Sequence, residues 1–379
     1  MRPDIMKRFD GLADRFLADI EQLKDAGALV VGIYCTYAPV ELVRAAKAIP
    51  VGLCGKKQAP IAAAEHTLPA NLCPLIKSSY GYAATDTCPY FAASDLLVGE
   101  TTCDGKKKMY EHLGKIKPMH LMHLPATVGE AQDAYWLGEV RRFKDTLEQA
   151  TGNPITDEAL RAEIRIQNEV RRLLFQVLST ASGDRVPLSG LDMLLVSEAR
   201  SFSADPYAYA AVLRELLAEL EGMLAAGASC VSPEARRILV TGCPMGRGSE
   251  KVMRLLEESG AVVVAAENCS GVKNFDRLVE ETGDPLAAIA RRYLRIPCSV
   301  MTPNSGRFEL LDRLTEEMRP HAVVDLTWHC CHTYNVEAPV VAAHMLEKHG
   351  LPTLHIETDY SEADTEQLRT RIQALLEML

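Results

Sequence analysis

Residues 28–54 read ALVVGIYCTYAPVELVRAAKAIPVGLC. An apolar run ends at Cys35, a short helical stretch starts at Pro39, and a second apolar run ends at Cys54. This is a strand–helix–strand unit, and a helix between two strands returns the chain for parallel pairing. On its N-terminal side an amphipathic helix is expected through about Lys24. On its C-terminal side the alternation continues: a helix through QAPIAAAEHTL, an irregular stretch PANLCP carrying Cys73, and a strand DLLVGETTC running to Cys103. The helix GKKKMYEHL and the strand PMHLMHL close the series. Alternation of this kind is the signature of a parallel sheet covered by helices.

From about Thr127 to Leu224 the period changes. AYWLGEVRRFKDTLEQ, EALRAEIRIQNEVRRLLFQVL and AYAAVLRELLAELEGML have helical spacing and few strand formers. A helical bridge is expected here. The strand–helix alternation then restarts with RRILVTGC, SEKVMRLLEESG (capped by Gly260), AVVVAAENC, DPLAAIARRYL leading to IPC, and HAVVDLTWHCC. PVVAAHMLEKHG, PTLHIETD and TEQLRTRIQALLEML follow as helix, strand and helix. The expected division is an N-terminal α/β unit over 1–126, a helical bridge over 127–232 and a C-terminal α/β unit over 233–379.

Cysteines repeat in step with this division. One follows the first strand of each half (Cys35, Cys243) and one the second (Cys54, Cys269). One lies in a Pro-flanked irregular segment (Cys73, Cys298), and one ends the next long strand (Cys103, Cys331). In open parallel sheets the loops at the carboxyl ends of strands line the ligand crevice. Cysteines placed for packing belong inside strands and helices; several of these stand where a sheet presents ligands.

Bulk properties narrow the partners. The chain has 379 residues, 47% hydrophobic and 24% charged, with a formal net charge of -10. The one dense basic run, Lys106-Lys107-Lys108, suits the solvated face of a helix, so nucleic acid is not an expected partner. No stretch is long and apolar enough to span a membrane, and MRPDIMKRFDGLADRF lacks an apolar signal core. A cytoplasmic protein is expected. In that compartment eleven cysteines, an odd number, argue against a disulfide framework and leave packing or metal ligation.

No C-x-x-C occurs, which removes zinc ribbons, thioredoxin-type sites and bacterial ferredoxin loops. Any metal site has to be assembled from distant segments. TGCPMGRGSEK lacks the order of a phosphate loop and reads as a glycine-rich turn; no G-x-G-x-x-G follows a strand. In His329-Cys330-Cys331-His332, neighbouring side chains on a strand point to opposite faces. Cys331 is expected to face the cleft and Cys330 to pack. Cys230 receives no role, and His66, His120, His123, His321, His344 and His355 read as ordinary helix or strand residues. Iron–sulfur clusters take thiolate ligands because soft sulfur donors match iron. A cubane held by three cysteines keeps one iron open for a ligand.

The chain is similar over nearly its whole length to the 2-hydroxyacyl-CoA dehydratase family. It most resembles the double-cubane cluster protein branch. The resemblance is carried by GIYCTYAPVELVRAA, PVGLCG, LPANLCPLIKSSYGYAATDTCPYF, ETTCDGKKKMYEHL, ILVTGCPMG, ENCSGVK, RYLRIPCSVMTPN, CHTYNVE and IETDYSEADTEQLRTRIQALLE, in this order. It implies an α/β fold of two Rossmann-like domains in pseudo-repeat, meeting at a cluster-bearing cleft. It also implies a 4Fe–4S cluster on Cys73, Cys103 and Cys331. In the double-cubane branch two cubanes share a bridging sulfide, an 8Fe–9S cluster needing six thiolates. Cys35, Cys269 and Cys298 are expected to supply the second three, with Cys54 and Cys243 as close competitors and Cys88 packed behind Cys73.

The implied activity is an anaerobic reductase of small unsaturated molecules. Its electrons would come from a separate ATP-hydrolysing 4Fe–4S activator, and the chain would be a homodimer. The alternative is a 2-hydroxyacyl-CoA dehydratase subunit with one 4Fe–4S cluster in a heterodimer. A third reading is a cluster carrier or a chain whose cysteines only pack. Glu100, Asp104, Lys106 and Lys107 read as helix-start and surface residues that could also tune a cluster or move protons. Tyr34, Tyr37, His332 and Asn335 are expected near the cavity.

Overall fold

A computed structural model describes residues 2–379. Eight strands form two sheets, both wholly parallel. In the first half these are β1 (Val30–Ile33), β2 (Ile49–Gly52), β3 (Leu96–Glu100) and β4 (Met119–Met122). In the second they are β5 (Arg236–Gly242), β6 (Ala261–Glu267), β7 (Ala322–Trp328) and β8 (Thr353–Thr358). The strand orders are β2-β1-β3-β4 and β6-β5-β7-β8. The two halves therefore share one topology, as two Rossmann-like units do. In each, the order reverses beside the first strand, and the crevice at such a switch point is where open sheets bind ligands.

Side-chain alternation explains how each sheet is buried on both faces. Val30 of β1 and Leu97 of β3 pack into a core that also takes Ile238, Val240, Val324 and Trp328 from the second sheet. Their neighbours Val31, Leu96 and Val98 point the other way, against Trp136, Phe143, Leu160 and Ile164. Leu239 and Val323 of the second sheet face Leu174, Val177, Leu213 and Leu216. Successive strand residues thus feed different cores, which is why these strands read as unbroken apolar runs.

Between the sheets in sequence run the helices Glu130–Thr151, Asp157–Ser179, Gly190–Ala199 and Pro206–Ala225. The second starts at Thr156, whose hydroxyl caps the Ala159 amide, and carries a broad apolar face. A buried ion pair fixes it to the helix Val40–Ala45, which joins β1 to β2. Arg171 Nη2 meets Glu41 Oε1 at 2.5 Å with both side chains fully buried, and Tyr293 donates to Glu41 Oε2 at 2.7 Å.

Some elements differ from expectation. The first helix is broken at Gly11 into Met6–Asp10 and Leu12–Asp25. QAPIAAAEHTL contributes only Ile61–Ala64, because Pro60 precedes it and the chain turns at Glu65. Pro39 stands at the N-cap, not inside the first turn, of Val40–Ala45. The helix before β8 begins at His332, seven residues before PVVAAH, and tolerates Pro339 within it. Ser305–Met318 is a further helix, outside the segments expected to form one. Residues 243–250 form the expected glycine-rich turn between β5 and the helix Lys251–Glu258. No helix among the described residues is long and apolar enough to cross a membrane.

Candidate thiol-lined functional site

Three of the cysteines predicted as ligands are N-cap residues. Cys73 precedes Pro74–Thr85, Cys103 precedes Asp104–Leu113, and Cys331 precedes His332–His349. A helix start presents free amides and a partial positive charge, which favours a thiolate. The Leu75 and Ile76 amides face Cys73, the Lys106 amide faces Cys103, and the Tyr334 amide faces Cys331. None of these cysteines lies in its strand: β3 stops at Glu100 and β7 at Trp328. Cys330 sits in the turn after β7 with φ 61°. It is this turn, not strand alternation, that directs Cys331 inward.

The tertiary fold brings Cys331 together with Cys73 and Cys243 from the first and second sheets. Both neighbouring thiols hydrogen-bond Cys331, which lowers its pKa to about 3, while Cys73 and Cys243 are pushed up. The Trp328 amide donates to Cys243 Sγ at 3.4 Å, and Cys331 Sγ lies 3.9 Å from Thr333 Oγ1. Gly242 makes this placement possible. It holds φ +105°, and a Cβ there would collide with the Leu326 carbonyl oxygen, the acceptor of the Cys243 amide.

A second group joins Cys35, Cys269 and Cys298. Burial raises Cys35, and the thiols of Cys269 and Cys298 are within electrostatic reach. Burial likewise pushes Cys269 up to about 11, with Cys298 as the next cause. Cys103 stands within reach of both groups, through Cys331 and Cys298. Position in the repeat relates the groups: Cys73, Cys243 and Cys331 correspond to Cys298, Cys35 and Cys103. Cys54 and Cys269 are the remaining pair. Cys54 donates to the Tyr34 carbonyl at 3.0 Å. Cys88 caps the short helix Pro89–Ala93 among Tyr34, Tyr82 and Tyr90. Cys230 packs against the helical bridge, apart from these groups.

Two residues expected on the surface are inside. Glu100 ends β3 fully buried, and burial pushes its carboxyl up to about 8 despite the nearby Lys106 ammonium. Lys106 leaves the run of solvated lysines and donates to the Tyr34 carbonyl at 3.1 Å. Burial opposes its charge, but Cys35, Tyr110, Cys54 and Cys103 hold it protonated. Lys107 and Asp104 do remain outside, paired at 3.1 Å. The cause is helical: Lys106 lies one turn from Cys103 on the face turned to the sheets, and Lys107 lies about 100° away.

Tyr34 lines a cavity of about 180 Å³ together with Cys35, Cys54, Cys269 and Lys106. Tyr37 is buried behind it, donating to the Ile296 carbonyl at 2.8 Å. His332 and Asn335 do not line it: His332 is exposed at the start of its helix, and Asn335 donates to Glu357 at 3.1 Å. A charged network with no signature in the sequence backs the second sheet's thiols. Lys273 meets Glu267 at 2.8 Å, both fully buried, and lies 3.1 Å from the Tyr334 hydroxyl, while Arg307 meets Glu337 at 2.5 Å. Isolated charges in apolar strand-to-helix segments carry no distinctive spacing; only their burial reveals them. A separate histidine pair, His344 and His349, shares Asp312 at 2.6 and 2.7 Å. Lys348 occupies the other carboxylate oxygen at 2.7 Å, so this group ties two outer helices together.

A donor set of thiols without carboxylates or imidazoles suits soft or borderline metals, iron in iron–sulfur clusters among them. The sequence pattern of the 2-hydroxyglutaryl-CoA dehydratase D-component matches residues 35–379. The chain belongs to this family. It is 43% identical over 378 residues to the Escherichia coli (strain K12) protein YjiM, which carries the provisional name of a dehydratase subunit; the match covers 100% of this chain and 98% of YjiM. It is 24% identical over 371 residues to the (R)-phenyllactyl-CoA dehydratase beta subunit of Clostridium sporogenes, covering 95% and 94% of the two chains. A benzoyl-CoA reductase subunit of Thauera aromatica is 22% identical over 333 residues, 84% of this chain and 83% of its own length. The family thus contains subunits of both dehydratases and a reductase, and its pattern begins at Cys35, the first thiol of the site.

Proposed function

We propose that the chain is an anaerobic iron–sulfur reductase holding an 8Fe–9S double cubane. The observation that carries this reading is the convergence of thiols from both halves of the chain into two groups. Cys73, Cys243 and Cys331 form one and Cys35, Cys269 and Cys298 the other, with Cys103 within reach of both. The repeat then suggests Cys103 as the third member of the second trio. The proposed ligands are Cys73, Cys243 and Cys331 for one cubane and Cys35, Cys103 and Cys298 for the other. Relative to the sequence expectation, Cys243 joins the set and Cys269 becomes a close neighbour of Cys298. The division at 126/127 and 232/233 then separates two cluster-binding α/β units from a helical bridge.

Such a cluster supplies low-potential electrons, and the overall reaction adds two electrons and two protons to a small multiply bonded molecule. The chain's own residues set the conditions. Helix starts at Cys73, Cys103 and Cys331 favour thiolate ligands. Lys106 places positive charge beside Cys35 and Cys103, and Lys273 beside their neighbour Cys269. Buried aromatic walls at Tyr34, Tyr37 and Tyr334 exclude water. Electrons would come from a separate ATP-hydrolysing 4Fe–4S activator, and the protein would work as a cytoplasmic homodimer. The dehydratase names among the relatives favour a second reading, a 2-hydroxyacyl-CoA dehydratase subunit with one 4Fe–4S cluster.

Iron and acid-labile sulfide on anaerobically purified protein separate the two. About eight irons per chain are expected; about four would favour the dehydratase subunit, and a colourless iron-free protein would defeat both.

A further inference from the structure

Five charged residues line the cavity beside the thiols: Arg44, Lys56, Lys106, Glu198 and Arg200. Four are cations and one is a carboxylate. That carboxylate is already used, since Lys56 Nζ meets Glu198 Oε1 at 2.5 Å. Among the described residues the other three cations bond only neutral acceptors. Arg44 donates to the Ala204 and Ser203 carbonyls at 2.7 and 2.8 Å. Arg200 donates to Asn274 Oδ1 at 2.7 Å, the Asn274 carbonyl at 3.1 Å and Gln167 Oε1 at 3.0 Å. Lys106 donates to the Tyr34 carbonyl.

Neighbouring carboxylates do not close this imbalance. Glu163 and Asp205 act on Arg44 only through space, and burial pushes Glu163 up to about 7, so part of its charge is lost near neutrality. Glu41 is bonded to Arg171. Burial lowers Arg44, and burial followed by the Arg171 charge lowers Arg200 to about 10. Lys106 lies among the thiols; among the described residues neither guanidinium has a bonded counter-charge. Both arginines are half-buried; a charge partly withdrawn from water without a partner is costly, and a ligand that supplies the missing charge recovers part of that cost.

We infer that this cavity binds a small monocarboxylate through Arg44 and Arg200, beside Cys35, Cys54 and Cys269. Arginine's planar fork matches a carboxylate, whereas the surrounding Ile33, Val51, Leu75, Val170 and Phe202 suit a short apolar body. At about 180 Å³ the cavity slightly exceeds one of ~150 Å³ that admits benzene and falls below the ~300 Å³ at which drug-sized pockets begin. A free acid of up to roughly ten non-hydrogen atoms fits; a coenzyme A thioester would have to leave most of itself outside. That the acid is a substrate rests on the reductase reading above. Its binding does not.

The test is calorimetric titration of anaerobically purified holoprotein with acetate, crotonate and benzoate, each against its primary amide, and with crotonyl-CoA. At least one acid should bind roughly tenfold or more tightly than its amide, the loss expected for a charge-assisted contact. Arg44→Gln and Arg200→Gln should each weaken that acid at least about fivefold with iron content unchanged. Arg44 lacks the Asn274 and Gln167 bonds of Arg200, so it remains informative should Arg200→Gln fold poorly. Equal binding of acid and amide in all three pairs overturns the inference. So do wild-type affinity in iron-replete Arg44→Gln, and crotonyl-CoA binding more tightly than every acid. Iron content is read on the same samples, so a failed cluster assignment and a failed anion site are distinguishable.

Discussion

Cys331 shows how one residue gathers its properties from three sources. The turn at Cys330 aims it, the helix it caps stabilises its anion, and the Cys73 and Cys243 thiols donate to it. Its place just after an apolar run was legible, and Cys73 was legible beside Pro74, a residue suited to a helix start. Cys243 was legible only as a competitor, since its contact with Cys331 spans two strands. Replacing it decides the grouping: Cys243→Ala is expected to lose roughly half the iron or more, while Cys230→Ala retains all of it. Equal iron in the two purified variants would end the proposed trio. His120 offers a pH test away from the thiols. It is buried against Phe143, and burial lowers its pKa from 6.5 to about 4. The native state therefore stays neutral where the unfolded chain takes up a proton. Stability contributed by this group is full above pH 6.5 and falls as pH drops to about 4, by about 3 kcal/mol. Urea midpoints measured across that window should flatten in His120→Gln.

At the scale of elements, most of the grouped thiols follow strands or start helices, in both halves, and helices tie the sheets to the bridge. Strand–helix alternation revealed the sheets because parallel strands buried on both faces are continuous apolar runs. Helix ends were less legible: the helix His332–His349 absorbs Pro339, and Ile61–Ala64 is shorter than its alanines promised. The tie between Val40–Ala45 and Asp157–Ser179 is the Glu41–Arg171 pair, separated by 130 positions in sequence. Arg171→Met leaves Glu41 buried without its cation and should cost about 3–5 kcal/mol by chemical denaturation. Adding Glu41→Gln should recover at least about 1 kcal/mol, because the uncompensated charge is then gone. A cost below about 1 kcal/mol for the single variant would show that Glu41 has other compensation.

Across the whole molecule, two similar sheets share one core. Tyr34, Leu75 and Leu97 from the first half pack in the same cluster as Val240, Leu326, Trp328 and Tyr360 from the second. Tyr360 also donates to the Gly55 carbonyl at 3.2 Å. Shared burial couples the halves, so the molecule should unfold in one transition rather than two. Its two tryptophans report this directly, Trp136 against the first sheet and Trp328 at the end of β7. Trp136→Phe and Trp328→Phe, each leaving one reporter, should give coincident fluorescence and circular-dichroism midpoints. Separate midpoints would mean that the halves unfold independently.

By itself the sequence determined the parallel α/β halves, the helical segment between them and the recurrence of cysteines after strands, because these are periodic and local. It could not determine which thiols meet, nor that Lys106 turns inward while Lys107 stays in water, nor that Arg44 and Arg200 face one cavity without bonded carboxylates. Those depend on how two sheets pack across a common core, and distances between segments far apart in the chain leave no period in the sequence.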